Sequence, residues 1–181
     1  CDFDGNFVSS GSGGAIWISS SVDVTVVSNF FSNNSALNGS GTVHWSYSTM
    51  SEPPNITTAN SFTDTNVARY GSSVATEATR LSLDKANIYN ITDYTLPAPA
   101  LGVTVVDYYN QVVLTESSAV LVASVLSSAL CYESSGYVTG GIVEQFGDGF
   151  ANFTDLLAYC DPGYSMQVDL TATIQGVTMQ A

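Results

Sequence analysis

Positive charge is nearly absent from this sequence. Lys and Arg together number 3, against 16 Asp and Glu, which gives a formal net charge of −13. Nucleic-acid binding depends on basic side chains that neutralise phosphates, and attraction to anionic membranes depends on the same side chains. The charge balance therefore argues against nucleic acid as a partner and equally against anionic membrane surfaces.

Long apolar runs, zinc-type cysteine clusters and phosphate-binding loops are missing as well. The longest apolar run, residues 119–130, is too short and too rich in serine to span a bilayer. Cys131 and Cys160 are 29 positions apart with no histidine near them, whereas zinc sites use closely spaced ligands. No Gly-Lys-Ser or Gly-Lys-Thr loop is present. We expect no membrane insertion, no zinc site and no nucleotide-phosphate site.

Residues with catalytic potential are equally scarce. A Ser-His-Asp triad would have to use the one histidine, His44, yet no nucleophile elbow exists anywhere in the sequence. We expect His44 at the surface or in a ladder of stacked side chains. The aspartates of the first half are scattered, and this favours a solvated acidic face over paired catalytic carboxylates. They are Asp2, Asp4, Asp23, Asp64, Asp84 and Asp93. The sequence predicts no enzyme, with a polysaccharide lyase or hydrolase as the weakest alternative.

A short phrase that begins with Phe and reaches Asn three or four residues later occurs three times. The phenylalanines are 28 and then 31 residues apart. The repeat-ladder positions are Phe3, Asn6, Phe31, Asn34, Phe62 and Asn66. Self-similarity at such a period is typical of a solenoid, in which each repeat packs only on its neighbours. Residues 22–26 alternate apolar and polar side chains, so strands form the repeat.

The first copy of the phrase continues into Gly-Gly-Ala-Ile at residues 13–16, and the later copies keep only parts of this continuation. In both features the repeat resembles that of polymorphic outer-membrane proteins and related right-handed parallel β-helices. The resemblance implies Phe stacked on Phe inside the coil and Asn amides hydrogen-bonded above one another at a bend. An ordinary β-sandwich with chance Phe and Asn spacing is the alternative.

Two prolines, Pro97 and Pro99, mark a change of pattern. We therefore expect an all-β chain: a right-handed parallel β-helix of about three coils over residues 1–96, then a β-sandwich over residues 97–181. The sandwich resembles the immunoglobulin-like modules of filamins and invasins, through the motifs at residues 149–156 and 162–164.

Within the second part, the pattern predicts strands joined by short turns. We expect residues 136–145 to form a single strand and residues 150–153 to pair back on it across a hairpin at residues 147–149. After Ile174 only seven residues remain, which we expect to be too few for a full closing strand.

Five Asn-x-Ser/Thr sequons indicate an extracellular or cell-surface protein that carries N-linked glycans. They begin at Asn33, Asn38, Asn55, Asn90 and Asn152. Occupancy is expected above all at the first three, which fall on turns or on an insertion at residues 48–55 that should loop out of the coil.

The three cysteines fit the same compartment. We expect a disulfide between Cys131 and Cys160, which leaves Cys1 over. No cofactor is indicated, although loop carboxylates such as Asp107 or Asp148 leave calcium open as an alternative. Because no signal peptide is visible, we expect a mature chain or a segment of a longer one.

Two classes of function fit these features. A β-helix joined to an immunoglobulin-like module resembles the large surface or appendage glycoproteins of algae and other protists, which implies a structural fibre or coat that assembles with itself or with neighbouring domains. We expect both ends of the coil to be open, because no cap precedes Phe3. The alternative is an adhesin that binds glycans through Trp17, Trp45, Tyr47 and the other tyrosines.

Overall fold

Short alternating segments of the sequence become short strands. The computed structural model of the chain is all-β, and no helix occurs in the residues that it describes. These are residues 1–20, 23–50, 52–84, the backbone of 96–97, 101–125, 136–160 and 166–181. Within them, no helix is long and apolar enough to cross a membrane.

Contacts divide the chain into two compact units. Unit 1 contains Cys1–Thr79 together with Val106–Thr115, and unit 2 contains Arg80–Val105 together with Glu116–Ala181. The units thus alternate along the chain, whereas the sequence analysis placed one boundary between residues 96 and 97. The short segment 106–115, which the sequence analysis assigned to the sandwich, packs in unit 1.

Unit 1 is built of parallel strands. Its strands are β1 (Asp2–Asp4), β2 (Phe7–Val8), β3 (Ile16–Ile18), β4 (Thr25–Val26), β5 (Phe30–Ser32), β6 (Ser35–Ala36), β7 (Val43–Trp45), β8 (Asn55–Ile56), β9 (Ser61–Phe62) and β10 (Val74–Ala75). They form the sheets β1-β5-β9 and β3-β7-β10 and the pairs β2-β6 and β4-β8. All of these pairings are parallel.

The register of the parallel strands follows the sequence repeat. Phe3 pairs with Phe31, 28 positions later, and Phe31 pairs with Phe62, 31 positions later. The pattern is repeated on the second sheet, where Val43 lies between Ile16 and Val74. The chain therefore returns to the same lateral position once per repeat, and equivalent residues lie above one another.

Side chains alternate between the two faces of each strand, and this places the core of unit 1 inside the stack of repeats. Phe31 and Val43 are fully buried and Trp45 is 1% exposed, whereas Phe30, the neighbour of Phe31, is 42% exposed. A strand turns successive side chains to opposite faces, so one of the two phenylalanines must point outward.

Glycine is required where two turns of the stack approach each other. A Cβ atom on Gly14 would lie 2.3 Å from the carbonyl oxygen of Gly41 and 2.7 Å from that of Ser35. No side chain fits between backbones at such a distance. This explains why the second residue of the Gly-Gly-Ala-Ile motif, Gly14, is a glycine.

Residues 106–115 cover the edge of β10 at one end of unit 1. Gln111 donates from Nε2 to the carbonyl of Val74 at 2.8 Å, and the amide of Thr76 donates to Oδ2 of Asp107 at 3.2 Å. The expectation of two open ends is therefore wrong for β10, whereas β8 and β9 each pair on one side only among the described residues. A segment that is distant in sequence supplies hydrogen bonds that a further strand would otherwise make.

Unit 2 is built largely of antiparallel strands. They are β11 (Arg80–Leu83), β12 (Leu96–Pro97), β13 (Leu101–Val106), β14 (Val120–Val125), β15 (Tyr137–Thr139), β16 (Val143–Gln145), β17 (Phe150–Phe153), β18 (Leu157–Tyr159), β19 (Val168–Ile174) and β20 (Val177–Gln180). They form the sheets β11-β13-β17, β12-β18-β15 and β16-β14-β19-β20. Leu121, Phe153 and Val103 are fully buried between such strands.

The expected single strand over residues 136–145 is wrong, because it is broken into β15 and β16. Gly140 lies at the break with φ +82°, a conformation that ends a regular strand. The two halves join different sheets, since β15 pairs with β18 and β16 pairs with β14.

The expected hairpin at residues 147–149 is present, but the expected pairing of the whole segment 150–153 across it is wrong. β17 pairs antiparallel with β13, and its link to the preceding turn is a single bridge between Gly147 and Phe150. Side-chain burial favours this arrangement, because it places Phe153 opposite Leu101 and both residues inside the unit.

A closing strand, β20, exists although the sequence analysis expected too few residues for it. Gln175 and Gly176 both have positive φ, at +51° and +82°, and they form a tight two-residue connection. Such a turn uses so little chain that four residues remain to pair with β19, with Ile174 opposite Val177.

Candidate functional site

The repeat phenylalanines form a continuous stack inside unit 1. The rings of Phe3 and Phe31 are 5.0 Å apart with planes inclined by 15°, and those of Phe31 and Phe62 are 4.9 Å apart with planes inclined by 6°. The in-register strands β1, β5 and β9 impose this geometry. The stack fills the interior with apolar surface and offers no chemical group to a substrate.

The repeat asparagines form a hydrogen-bonded ladder at the following bend. The Asn6 amide donates from Nδ2 to Oδ1 of Asn34 at 2.8 Å, and Asn34 donates from Nδ2 to Oδ1 of Asn66 at 3.1 Å. Asn34 Nδ2 also donates to the carbonyl of Phe3 at 2.8 Å. Because Asn34 is fully buried, these bonds satisfy polar groups that would otherwise be stranded.

A second ladder crosses the sheet β3-β7-β10 and contains the one histidine. In the register of that sheet, His44 lies between Trp17 and Ala75. The imidazole stacks on the Trp17 ring at 4.5 Å, with planes inclined by 10°. His44 is 2% exposed, its Nδ1 has no hydrogen-bond partner, and its Nε2 lies 3.8 Å from Oε2 of Glu77.

The carboxylate of Glu77 joins this histidine to two serines. Oε1 of Glu77 accepts from the Ser46 hydroxyl at 3.0 Å and from the Ser48 amide at 2.7 Å. Burial alone would raise the pKa of Glu77, but the His44 ring and the Ser48 donors outweigh it and hold that pKa well below its ordinary value. Glu77 is thus kept ionised as an acceptor. The Glu77 carboxylate lies near Nε2 of His44 and Nδ1 has no hydrogen-bond partner, so the ring is not held between a carboxylate and a hydroxyl as in a triad.

An aromatic cluster surrounds Trp45, close to the covered edge of β10. The indole N–H of Trp45 donates to the Tyr109 hydroxyl at 3.0 Å, and the Tyr108 ring meets the Trp45 ring edge-on at 5.2 Å. The ring of Tyr47 lies 5.9 Å from that of Tyr108. Burial raises the pKa of the Tyr109 hydroxyl, which therefore stays protonated near neutral pH.

Asp107 fixes the backbone of the turn that carries Tyr109. Its Oδ1 accepts from the amides of Tyr109 and Gln111 at 2.9 and 2.8 Å, and its Oδ2 accepts from Gln111 Nε2 at 3.0 Å. Burial raises the pKa of this carboxyl in spite of those donors. Because both oxygens are already occupied by N–H groups, Asp107 does not fit the calcium-ligand role considered from the sequence.

An open cleft of about 610 Å³ lies beside Tyr108 and Tyr109. Its other lining residues come from the two prolines that precede β8, from β8 and the turn after it, and from β9 and β10. They are Pro53, Pro54, Asn55, Ile56, Thr57, Thr58, Asn60, Phe62 and Val74. Concave features of this kind are typical of small-molecule sites.

No family model matches the sequence, and neither the curated proteins nor the solved structures include a match. Functional inference for this chain therefore rests on its own residues and their geometry.

The predicted glycosylation sites differ in their surroundings. Asn33, Asn38 and Asn55 are exposed, and Asn152 is half-buried in β17. Asn33 has a left-handed backbone, with φ +53°. Its Nδ2 donates to Oδ1 of Asp4 at 2.9 Å. Asn90 lies outside the described residues. Asn55 belongs to a paired strand, β8, and not to a loop outside the coil.

The described residues include only some of those named in the cysteine and metal predictions. Cys1 is an exposed free thiol. Cys131 lies outside the described residues, so its disulfide with Cys160 stays a prediction. Among the described residues, no three His, Cys, Asp or Glu side chains group so that they could hold a metal ion. Asp148 is exposed on the turn before β17.

Of the rings that the sequence named for glycan binding, those of Trp45 and Tyr47 lie together, 6.0 Å apart. Trp45 is buried, Tyr47 is 47% exposed, and Trp17, 54% exposed, lies on His44. Tyr108 and Tyr109 were suggested only as part of the tyrosines in general, and their positions fall in the range 97–181 that was expected to form the sandwich. The pair of adjacent tyrosines after an aspartate was the available signal, but only long-range packing shows that they meet Trp45.

Proposed function

We propose that this chain is a non-catalytic structural segment of an extracellular, glycosylated fibre or surface coat. In this proposal unit 1 is a short right-handed parallel β-helix and unit 2 is an immunoglobulin-like β-sandwich. The in-register parallel strands of unit 1 and the antiparallel sheets of unit 2 support these assignments. The exposed sequons at Asn33, Asn38 and Asn55 support a glycosylated surface.

The observation that carries the proposal is the free edge of the first repeat of unit 1. We call this repeat, which contains β1, β2, β3 and β4, the first tier, and the following repeats the second and third tiers. Among the described residues, β1, β2, β3 and β4 each pair on one side only. The carbonyls of Asn6 and Val8 accept from the second tier, so the N–H and C=O of Phe7, which alternate with them, face away from it. Phe7 is 68% exposed. An unpaired strand edge flanked by large apolar side chains is a template for pairing with another strand.

The covered edge of β10 favours one mode of assembly over another. Because residues 106–115 bond to β10, identical units would not stack end to end with all of their strand edges paired. The proposed contact is β-edge pairing at the first tier with a second copy of the chain. The net charge of −13 would oppose non-specific clumping and leave the specific contact as the route to assembly.

The non-catalytic part of the proposal rests on the surroundings of His44. The imidazole is buried beneath Trp17, and its nearest charged partner is the carboxylate of Glu77. A general base needs access to the proton that it removes. The fixed position of the ring fits a ladder role.

Sedimentation velocity at physiological salt, with and without millimolar calcium, tests the proposal. We expect the wild-type chain to form assemblies and Phe7→Lys to prevent them, because a charge at the free edge opposes strand pairing. Leu37→Lys is the matched control, since Leu37 is 57% exposed but belongs to the second tier and not to the free edge. A wild-type protein that stays a 19.0 kDa monomer at all concentrations would overturn the proposal.

A further inference from the structure

The cleft beside Tyr108 and Tyr109 plays no part in the fibre proposal, yet it has the features of a binding site. Both rings are accessible, with 44% of Tyr108 and 38% of Tyr109 exposed. A volume of about 610 Å³ lies within the range of small-ligand sites. The cleft is formed entirely within unit 1.

The two tyrosine rings form a rigid wall of the cleft. They meet edge to face, with centroids 5.3 Å apart and planes inclined by 83°. The Trp45 indole fixes the hydroxyl of Tyr109, and Asp107 fixes its amide. A ligand that packs on this wall therefore needs to order little of the protein, and this lowers the entropic cost of binding.

The chemistry of the lining indicates an uncharged ligand with one apolar face and a polar edge. None of the described lining residues carries a charge. The tyrosine rings and Pro53 offer apolar surface, whereas Asn55 and Thr58, both exposed, offer an amide and a hydroxyl. A purely apolar ligand would leave those polar groups without partners, which is costly. A polyanion would meet a chain of strongly negative net charge.

We propose that this cleft binds a sugar ring. A pyranose presents C–H groups on its face, which pack on an aromatic ring, and hydroxyls at its edge, which bond to amides and hydroxyls. The inference does not depend on the fibre proposal. It locates glycan binding at Tyr108 and Tyr109 and not at Trp17 and Trp45.

The sugar could come from two sources with the same chemistry. Asn55, which lines the cleft, is also the first residue of the sequon Asn55-Ile56-Thr57. A glycan attached there would start at the rim of the cleft and fold over Tyr108. A free glycan from another molecule would occupy the same wall.

Free sugar is tested with protein made in bacteria, which carries no N-glycan. The probes are N,N′-diacetylchitobiose and cellobiose, followed by saturation-transfer NMR and titration. Binding should weaken at least about tenfold in Tyr108→Ala and be retained in Tyr108→Phe, which keeps the ring. Tyr137→Ala, in unit 2, is the matched control, because Tyr137 is 53% exposed and does not line the cleft. Tm values show whether each variant is folded.

Attached sugar is tested with protein secreted from a eukaryotic host. Enzymatic removal of the glycan should lower the Tm of the wild type and leave that of Tyr108→Ala unchanged, with occupancy of Asn55 read by peptide mass. Probe binding that requires Tyr108 identifies a free ligand. A Tyr108-dependent loss of Tm without probe binding identifies the attached glycan. If neither effect is found, or if either effect persists without the Tyr108 ring, the proposal is overturned.

Discussion

The buried amide of Asn34 donates a hydrogen bond to the side chain of Asn66, 32 residues further along the chain, at 3.1 Å. The same amide group receives the bond from Asn6 one tier before it. A single side chain thus joins three successive repeats, and its removal affects all of them.

Replacing Asn34 by Ala should lower the free energy of unfolding by about 1–3 kcal/mol, because buried donors and acceptors on both sides lose their partner. Asn38→Ala, at an exposed position, should change it by less than about 0.5 kcal/mol. Urea unfolding followed by tryptophan fluorescence measures both. Equal effects of the two changes would contradict a structural role for the ladder. Asn33→Ala is a poor control, since Asn33 has positive φ.

The phenylalanine stack offers a matched pair of neighbouring residues. Phe31→Ala should destabilise the protein by about 3–5 kcal/mol, because it opens a cavity between Phe3 and Phe62. Phe30→Ala should cost well under half of that value, because 42% of the Phe30 side chain is already exposed. Thermal unfolding monitored by circular dichroism distinguishes them. A similar loss from both variants would show that the stack is not the core of unit 1.

Glu77 should make stability depend on pH in the acid range. Its pKa is lowered in the folded protein from an ordinary value of 4.5, so its contribution is complete above pH 4.5 and is lost as pH falls below it. Glu77→Gln should therefore flatten the loss of stability on acidification below pH 4.5. The raised pKa of Asp107 contributes with the opposite sign, since that carboxyl favours the folded state when protonated.

Unfolding free energies of wild type and Glu77→Gln, measured at intervals from pH 7 to pH 3, check this prediction. Their difference should be constant at the neutral end, which serves as the internal control, and should shrink toward acid pH. A difference that grows as pH falls would contradict the sign derived for Glu77.

The hydroxyl of Thr57 is buried and has no hydrogen-bond partner. Thr57→Val should raise the free energy of unfolding by about 1 kcal/mol, because it removes an unsatisfied polar atom and keeps the branched shape. Thr42→Val, at a fully buried position, should lower it by about 1 kcal/mol, because the Thr42 hydroxyl donates to the Ser72 carbonyl at 3.0 Å. Chemical unfolding of the two valine variants with wild type tests whether their effects have opposite signs.

The spacing of Phe and Asn was sufficient to identify the residues that stack in unit 1. A repeat places equivalent side chains at equivalent positions, so Phe31 lies between Phe3 and Phe62 once the strands pair in parallel. The alternating pattern at residues 22–26 likewise indicated a strand, in the region of β4, because the two faces of a strand differ in burial. These features are local or periodic and can be read from the sequence.

Local pattern did not indicate which distant segments meet. Val106–Thr115 joins unit 1, and β17 pairs with β13, because those arrangements satisfy the edge of β10 and bury Phe153. The last strand depended on a two-residue turn at Gln175 and Gly176, whose positive φ values are not evident from composition.

The sequence alone determined that the chain is all-β, that its first part repeats, and that its charge disfavours polyanionic partners. Only the tertiary structure decided that Tyr108 and Tyr109 reach Trp45 and form the wall of a cleft with residues 53–58. The physical reason is that contacts between residues about 60 positions apart depend on the summed burial and hydrogen bonding of the whole unit, and no local sequence signal specifies that sum.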